Sequence, residues 1–135
     1  MDEITNFVKA YLPFLLGGGK YKVEEADETS ENGSNSVVVF SSEKLRLRFV
    51  TDRRQLFLDL QPVGPESGKE WYSIDLVRRL FTGKREPSAV LDPSFAEFLR
   101  DRIGDIEQKF DATEWSSTKA ELKALKRVRS KEMFG

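Results

Sequence analysis

The sequence predicts an α+β domain, in which an N-terminal helix and C-terminal helices cover one face of an antiparallel meander of three or four strands. Apolar residues recur at helical spacing towards both ends of the chain. Between them lie three segments of strand-like composition, separated by short turn-like segments. A chain of 135 residues has the length of one domain, so we predict a single domain over residues 1–135.

The first helix is predicted over Glu3 to Leu16, where apolar residues fall three or four positions apart. Pro13 lacks an amide proton and crowds the carbonyl four residues earlier, so we expect the helix to kink or end near its last turn. Gly17-Gly18-Gly19 then allows a sharp reversal into a strand at residues 20–23. The acidic, turn-rich stretch from Glu24 to Asn35 is interpreted as a solvated loop or a long hairpin connection.

Three antiparallel strands are predicted over residues 36–40, 44–50 and 55–60. In the second and third strands, leucine and phenylalanine alternate with largely polar residues, so one sheet face meets a core and the other is polar. The intervening segments are short enough for hairpin turns. If the second hairpin contains a bulge, its left-handed position falls at or near Arg54.

Residues 61–70 are rich in proline and glycine and are predicted to form an exposed loop. A short helix is predicted from Trp71, with its stop at Gly83. This helix is expected to point three charged residues outward: Asp75, Arg78 and Arg79.

A further helix begins at Asp92-Pro93, which supplies an N-cap and a proline in the first turn, and continues to Phe110. The last helix is predicted over Glu114 to Met133. We expect the apolar face of the sheet to pack on the apolar stripe of the helix that begins at Asp92-Pro93. The predicted core therefore contains Leu47, Phe49, Leu56, Leu58, Phe98, Leu99, Ile103 and Ile106.

The composition excludes much common enzyme chemistry. The chain contains no Cys and no His, which excludes disulfides, thiolate nucleophiles, Cys/His zinc sites and imidazole catalysis. The acidic run that begins at Glu24 lacks the ligand spacing of a calcium-binding loop. We therefore predict no catalytic residue, no metal and no cofactor. An enzyme that uses carboxylates with Arg or Lys remains as a third alternative.

The sequence predicts a cytoplasmic protein without a membrane partner. Its first residues are acidic and do not resemble a secretory signal. The longest apolar stretch runs from Tyr11 to Leu16 and contains a proline, far short of the roughly 20 residues that cross a bilayer.

The first candidate binding surface is the polar face of the predicted sheet. Arginines bind phosphate and carboxylate groups through two parallel hydrogen bonds, and an aromatic ring beside them favours a binding role. The alternative is a solvated face stabilised by cross-strand Arg/Asp pairs. The candidate partner-binding residues, of which the four arginines are expected on one exposed side, are Arg46, Arg48, Arg53, Arg54, Phe57 and Asp59.

The second candidate surface is the last helix, where basic residues outnumber acidic ones from Lys119 onward. Such a helix is able to contact nucleic-acid phosphates. The alternative is a solvated face whose cations favour the C-terminal end of the helix dipole. The candidate nucleic-acid-binding residues are Lys123, Lys126, Arg127 and Arg129.

The block from Ser36 to Leu60, with its strand at residues 44–50 and its turn Asp52-Arg53-Arg54-Gln55, resembles small bacterial α+β proteins of the immunity-protein type. Such proteins neutralise a partner by contact, and their contact residues differ from case to case, so the resemblance implies binding without assigning residues. We therefore predict a non-enzymatic protein-interaction module, an immunity-like inhibitor or adaptor, for a partner protein that the sequence does not identify. The alternative is a nucleic-acid-binding domain that uses the arginine-rich sheet face and the basic helix.

Overall fold

The computed structural model describes residues 2–29, 35–64 and 68–134. Two helices precede the sheet, α1 (Asp2–Tyr11) and α2 (Phe14–Gly17). The sheet contains β1 (Lys22–Thr29), β2 (Asn35–Ser41), β3 (Leu45–Asp52), β4 (Gln55–Pro62) and β5 (Tyr72–Ser73). Four helices follow: α3 (Ile74–Thr82), α4 (Pro93–Asp101), α5 (Ile103–Lys109) and α6 (Trp115–Phe134). The strands pair antiparallel in the order β1-β2-β3-β4-β5.

The predicted α+β class is confirmed, but the sheet has five strands rather than three or four. The strand predicted at residues 20–23 is β1, which continues through the acidic residues from Glu24 to Glu28 that the sequence assigned to a loop. An edge strand with both faces exposed tolerates such charges, and they discourage pairing with other chains. The rest of that predicted connection, Glu31 and Asn32-Gly33-Ser34, lies outside the described residues.

The predicted interruption of the first helix at Pro13 is confirmed. Helix α1 ends at Tyr11, and Pro13, with φ −62°, leads into the short helix α2. Gly19 takes a φ of 73° in the reversal that follows. The strand then begins at Lys22, two residues later than predicted.

The turn between β3 and β4 differs from the expected bulge. Pairing is continuous from Leu45↔Pro62 to Asp52↔Gln55, so Arg53 and Arg54 form a two-residue turn. Their φ angles are 51° and 69°. Tight hairpins with two positive φ angles fit the twist of the strands, and they usually contain Asn or Gly at these positions.

The strand that the sequence did not predict is β5, which follows Trp71. Tyr72 pairs with Leu60, so this segment begins as β5, and α3 starts only at Ile74. Gly83, with φ 72°, ends α3 as predicted. Of the predicted loop, residues 65–67 lie outside the described residues, while Gln61 and Pro62 belong to β4.

Three charged residues of α3 do not point freely outward as predicted. Asp75 is buried against Arg129. Arg78 and Arg79 are half-buried and donate paired hydrogen bonds to Glu86 and Glu132 respectively. All three partners lie outside α3, so the periodicity of the helix does not reveal them.

The predicted helix after Asp92 exists but is broken in two. The Asp92 carboxylate accepts a hydrogen bond from the Phe95 amide at 3.0 Å, which confirms the N-cap. At Arg102, φ reaches −114°, and this residue separates α4 from α5. Helix α6 lies within one residue of its predicted bounds.

The core lies between one face of the sheet and the helices. Every buried apolar side chain of the described helices belongs to one core cluster, which includes Leu45, Leu47 and Phe49 of β3. Among the predicted core residues, Leu47, Phe49, Leu58, Leu99 and Ile106 are buried. The other three, Leu56, Phe98 and Ile103, are only partly buried and pack against the cluster.

Candidate functional site

The opposite face of the sheet, which we call the outer face, contains three cross-strand rows and ends at the β3–β4 hairpin with the pair Asp52 and Gln55. Directly paired residues in neighbouring strands project to the same side, and this side alternates along each strand. Row one contains Lys22, Ser41, Arg46 and Gln61; row two contains Glu25, Val39, Arg48 and Asp59; row three contains Asp27, Val37, Val50 and Phe57. The structure thus brings Arg46, Arg48, Phe57 and Asp59 together on one face.

Arg46 is held by three neighbours on this face. Its guanidinium donates to the Glu24 carboxylate, with an Nε–Oε2 distance of 3.1 Å, and to the side-chain oxygen of Gln61. Gln61 is itself buried and donates from Nε2 to the carbonyl of Glu70 at 3.0 Å. The Arg46 Cζ also lies 5.0 Å from the centre of the Trp71 ring.

Arg48 is positioned in a similar way one row further along. Its Nη2 donates to Asp59 Oδ2 at 2.7 Å, and its Cζ lies 4.4 Å from the centre of the Trp71 ring. The buried Nε of Arg48 has no hydrogen-bond partner among the described residues. Each contact between a guanidinium and a tryptophan ring contributes about 0.5–2 kcal/mol, so the two arginines and the ring hold one another in place.

The sequence predicted that a helix begins at Trp71, and that prediction is wrong, because α3 begins at Ile74. Because Tyr72 is buried in the core opposite Leu60, alternation places Trp71 on the outer face. Trp71 remains partly exposed. The missed signal was the pair Tyr72-Ser73, which is too short to be recognised as a strand without its partner. We call Arg46, Arg48 and Trp71 the Arg–Trp cluster.

Row three is the apolar part of the outer face. Val37, Val50 and Phe57 are each half-buried there. Val39, in the neighbouring row, is 1% exposed although it lies outside the core cluster. A row of apolar side chains therefore adjoins the Arg–Trp cluster on the face opposite the helices.

The hairpin tip lies beyond row three, separated from it on this face by the exposed pair Asp52 and Gln55. Arg53 and Arg54 are exposed, and no ion pair involves them among the described residues. Left-handed backbone costs roughly 1–2 kcal/mol per non-glycine residue, so this tip is strained. Two guanidiniums without an ion pair among the described residues thus lie at the hairpin end of the sheet, beyond row three.

The second candidate surface, on α6, is less available than its sequence indicates. Arg129 donates to both carboxylate oxygens of Asp75, at 2.9 and 3.2 Å, and to the Ser73 hydroxyl at 2.8 Å. Lys123 and Lys126 lie 3.8 and 3.9 Å from the Glu70 carboxylate. Arg127 alone of the four candidates is exposed without an ion pair among the described residues.

Glu70 connects the two candidate surfaces. A hydrogen bond from the Tyr72 hydroxyl and the nearby lysines of α6 lower the pKa of the Glu70 carboxyl. Its neighbour in sequence is Trp71, so the basic helix adjoins the Arg–Trp cluster through a carboxylate. That carboxylate offsets part of the positive charge that a nucleic acid would need.

Within the described residues, no cluster of acidic side chains has the geometry to hold a metal ion. None of the helices there has the length and apolar character to cross a membrane.

Comparison with known proteins found no matching family model, no similar curated protein and no similar solved structure. The resemblance to immunity-type proteins stays a prediction.

Proposed function

We propose that this protein is a non-enzymatic interaction module, an immunity-like inhibitor or adaptor, that binds a partner protein through the outer face of its sheet. The observation that carries the proposal is the Arg–Trp cluster beside row three, on the face opposite the helices. We extend the proposal to a cytoplasmic protein, because a chain without cysteine suits a reducing compartment.

The residue types on this face are those that dominate protein interfaces. Tryptophan and arginine are enriched among the residues that contribute most to binding, and such residues lie near the centre of an interface with polar groups around them. Here Trp71 and Phe57 supply apolar surface, while Asp59 and Glu24 supply the polar surroundings.

The Arg–Trp cluster is also ordered before any partner arrives. Arg46 and Arg48 are fixed by carboxylates and by the Trp71 ring, so binding does not have to restrict long, mobile side chains. Ordering a flexible side chain at an interface costs about 0.5–1.5 kcal/mol. A rigid cluster avoids that cost and favours tight contact.

The hairpin tip indicates the chemistry of the partner. Arg53 and Arg54 occupy strained backbone positions where Asn and Gly would be more stable, and strain of this kind concentrates at functional sites. The side chains at these two strained positions are cationic. We therefore infer a partner that presents an apolar patch to Phe57 and Trp71 and carboxylates to the hairpin tip.

The second candidate function is binding of single-stranded nucleic acid. It is favoured by Trp71 and Phe57, because proteins stack bases on aromatic side chains of a sheet beside basic residues. Against it, Arg46 and Arg48 are paired with carboxylates, and β1 adds Glu25 and Asp27 to the same face. Phosphates would meet this negative charge, so the protein partner is the better-supported ligand.

The test begins with a pull-down from the native cell and continues with purified partner. Two variants change the outer face, Trp71→Ala and the double variant Arg53→Glu/Arg54→Glu. A matched double variant, Lys9→Glu/Lys84→Glu, reverses the charge of exposed lysines away from this face. We expect each outer-face variant to weaken binding at least about tenfold, while the control binds like wild type.

Two results overturn this assignment. Equal affinity of wild type and both outer-face variants would show that another surface binds. Recovery of nucleic acid that binds tightly at about 150 mM salt and loses affinity with Trp71→Ala would favour the second candidate.

A further inference from the structure

A concave surface lies at the end of the sheet opposite the Arg53-Arg54 tip. It forms where the turn after α2 meets the turn between β2 and β3, and it encloses about 570 Å³. Its walls carry three lysines and two serines: Lys20, Lys22, Lys44, Ser41 and Ser42. We call it the lysine pocket.

Both turns that form the lysine pocket are locally ordered. Gly19 has a φ of 73°, which lets the chain reverse from α2 and bring Lys20 and Lys22 to the pocket. On the other side, the Ser42 hydroxyl accepts hydrogen bonds from the amides of Lys44 and Leu45, each at 3.2 Å. The lysines therefore project from a defined backbone.

A buried carboxylate orients the first lysine. Glu107 accepts a hydrogen bond from Lys20 Nζ at 2.7 Å and from the Tyr21 hydroxyl at 2.6 Å. Burial and this carboxylate together raise the pKa of Tyr21 well above its ordinary range, so its proton stays on the hydroxyl. Lys20 keeps two further N–H donors after the bond to Glu107, because an ammonium group has three.

Of the three lysines in the pocket, Lys20 has a close carboxylate partner among the described residues, whereas Lys22 and Lys44 do not. Lys22 has no ion pair among the described residues, and Lys44 lies at a loose 3.8 Å from Asp111. The carboxylate that lines the pocket belongs to the exposed Glu43. A concave surface with excess charge of one sign concentrates the field and attracts ions of the opposite sign.

We propose that the lysine pocket binds a small ligand that carries a phosphate group. Lysine binds phosphate as a point charge, and the serine hydroxyls add neutral donors to phosphate oxygens. Because a phosphate dianion carries two negative charges, its attraction to several ammonium groups is stronger than that of a carboxylate, which carries one. The pocket is larger than phosphate alone and has no aromatic lining, so the rest of the ligand is polar and non-planar. The pocket adjoins the outer face, because Lys22 and Ser41 also belong to row one, but the phosphate proposal does not rest on the proposed protein partner.

The experiment is an NMR titration of the uniformly ¹⁵N-labelled protein at a constant ionic strength of about 150 mM. The probes are inorganic phosphate and diphosphate, with sodium chloride as the reference salt. We expect saturable shifts of the Gly19, Ser41 and Lys44 amides with both probes, and tighter binding of diphosphate. The double variant Lys22→Ala/Lys44→Ala should weaken binding at least about tenfold.

A matched control distinguishes this pocket from general attraction to a surface. The double variant Lys9→Ala/Lys84→Ala removes two exposed lysines elsewhere and should bind both probes like wild type. Unchanged amide shifts away from the pocket establish that each variant is folded. Shifts that grow in proportion to concentration, as with chloride, or an equal loss in the control would overturn the proposal.

Discussion

Arg129 near the end of α6 neutralises Asp75 in the first turn of α3, although 54 positions separate the two residues in sequence. The Asp75 side chain is 5% exposed, and its two oxygens accept from Arg129 Nη1 at 2.9 and 3.2 Å. A buried carboxylate requires such a partner, because transfer of an unpaired charge out of water costs several kcal/mol. This pair therefore fixes α6 against α3.

Replacing Arg129 should destabilise the fold. Arg129→Ala leaves Asp75 buried without its cation, and we expect the free energy of unfolding to fall by about 2–4 kcal/mol. Arg127→Ala on the same helix, an exposed position, should change it by less than about 0.5 kcal/mol. Urea denaturation measures both. Equal small effects would show that the pair with Asp75 contributes nothing to stability.

Substitution at the hairpin tip should stabilise the fold instead of destabilising it. Replacing Arg53-Arg54 by Asn-Gly should raise the free energy of unfolding by about 1 kcal/mol, because both new residues accept positive φ more readily. Arg54→Ala is the control, since it removes the charge and keeps the strain. A gain in the control as large as in the Asn-Gly variant would attribute the effect to charge repulsion instead.

Substitution of two leucines of β4 should show different losses of stability, because one side chain is fully buried and the other is partly buried. Leu58 is 0% exposed and lies in the cluster, so Leu58→Ala should destabilise by about 2–5 kcal/mol. Leu56 only packs against the cluster from a partly exposed position, so Leu56→Ala should cost clearly less. Chemical denaturation of the two variants checks this order, and a loss below about 0.5 kcal/mol for Leu58→Ala would contradict its burial.

Periodicity predicted the parts of the fold that depend on short stretches of chain. The alternation of β3 correctly separated Leu47 from Arg48, and Asp92-Pro93 correctly began a helix. Alternation also placed Arg46, Arg48, Phe57 and Asp59 on one face, which is most of the candidate site. These features need no knowledge of distant contacts.

What the sequence did not reveal depends on pairing between distant residues. The acidic segment forms β1 because β2 lies beside it, and Trp71 joins the outer face because Tyr72 pairs with Leu60. Composition alone assigns the first segment to a loop and the second to a helix. The contacts of Arg46 and Arg48 with the Trp71 ring likewise appear only once β5 pairs with β4.

Tyr21 should make the stability of the protein sensitive to alkaline pH. Burial raises its pKa in the folded state above the value of 10.0 that applies to the unfolded chain, and the hydrogen bond to Glu107 raises it further. The unfolded state therefore loses the proton first, so the contribution is complete below pH 10 and is lost as the pH rises above it.

Between about pH 10 and 11, Tyr21→Phe should reduce the decline of the unfolding free energy by up to about 1.4 kcal/mol per pH unit, since it removes one titrating group. The exposed Tyr11→Phe serves as the reference and should follow wild type. The measurement is urea denaturation at a series of alkaline pH values. A Tyr21→Phe curve parallel to that of wild type would show that this hydroxyl titrates alike in both states.

The last prediction concerns the pair of Arg48 and Asp59 in row two of the outer face. Arg48→Glu places a second carboxylate opposite Asp59 and removes a guanidinium from the Trp71 ring, so we expect a loss of about 1–3 kcal/mol. Adding Asp59→Arg to the same chain restores opposite charges across the two strands and should recover at least half of that loss. Urea denaturation of wild type, both single variants and the double variant gives the coupling energy. Additive losses would mean that the two side chains act independently, and the Arg–Trp cluster would then depend on Trp71 rather than on Asp59.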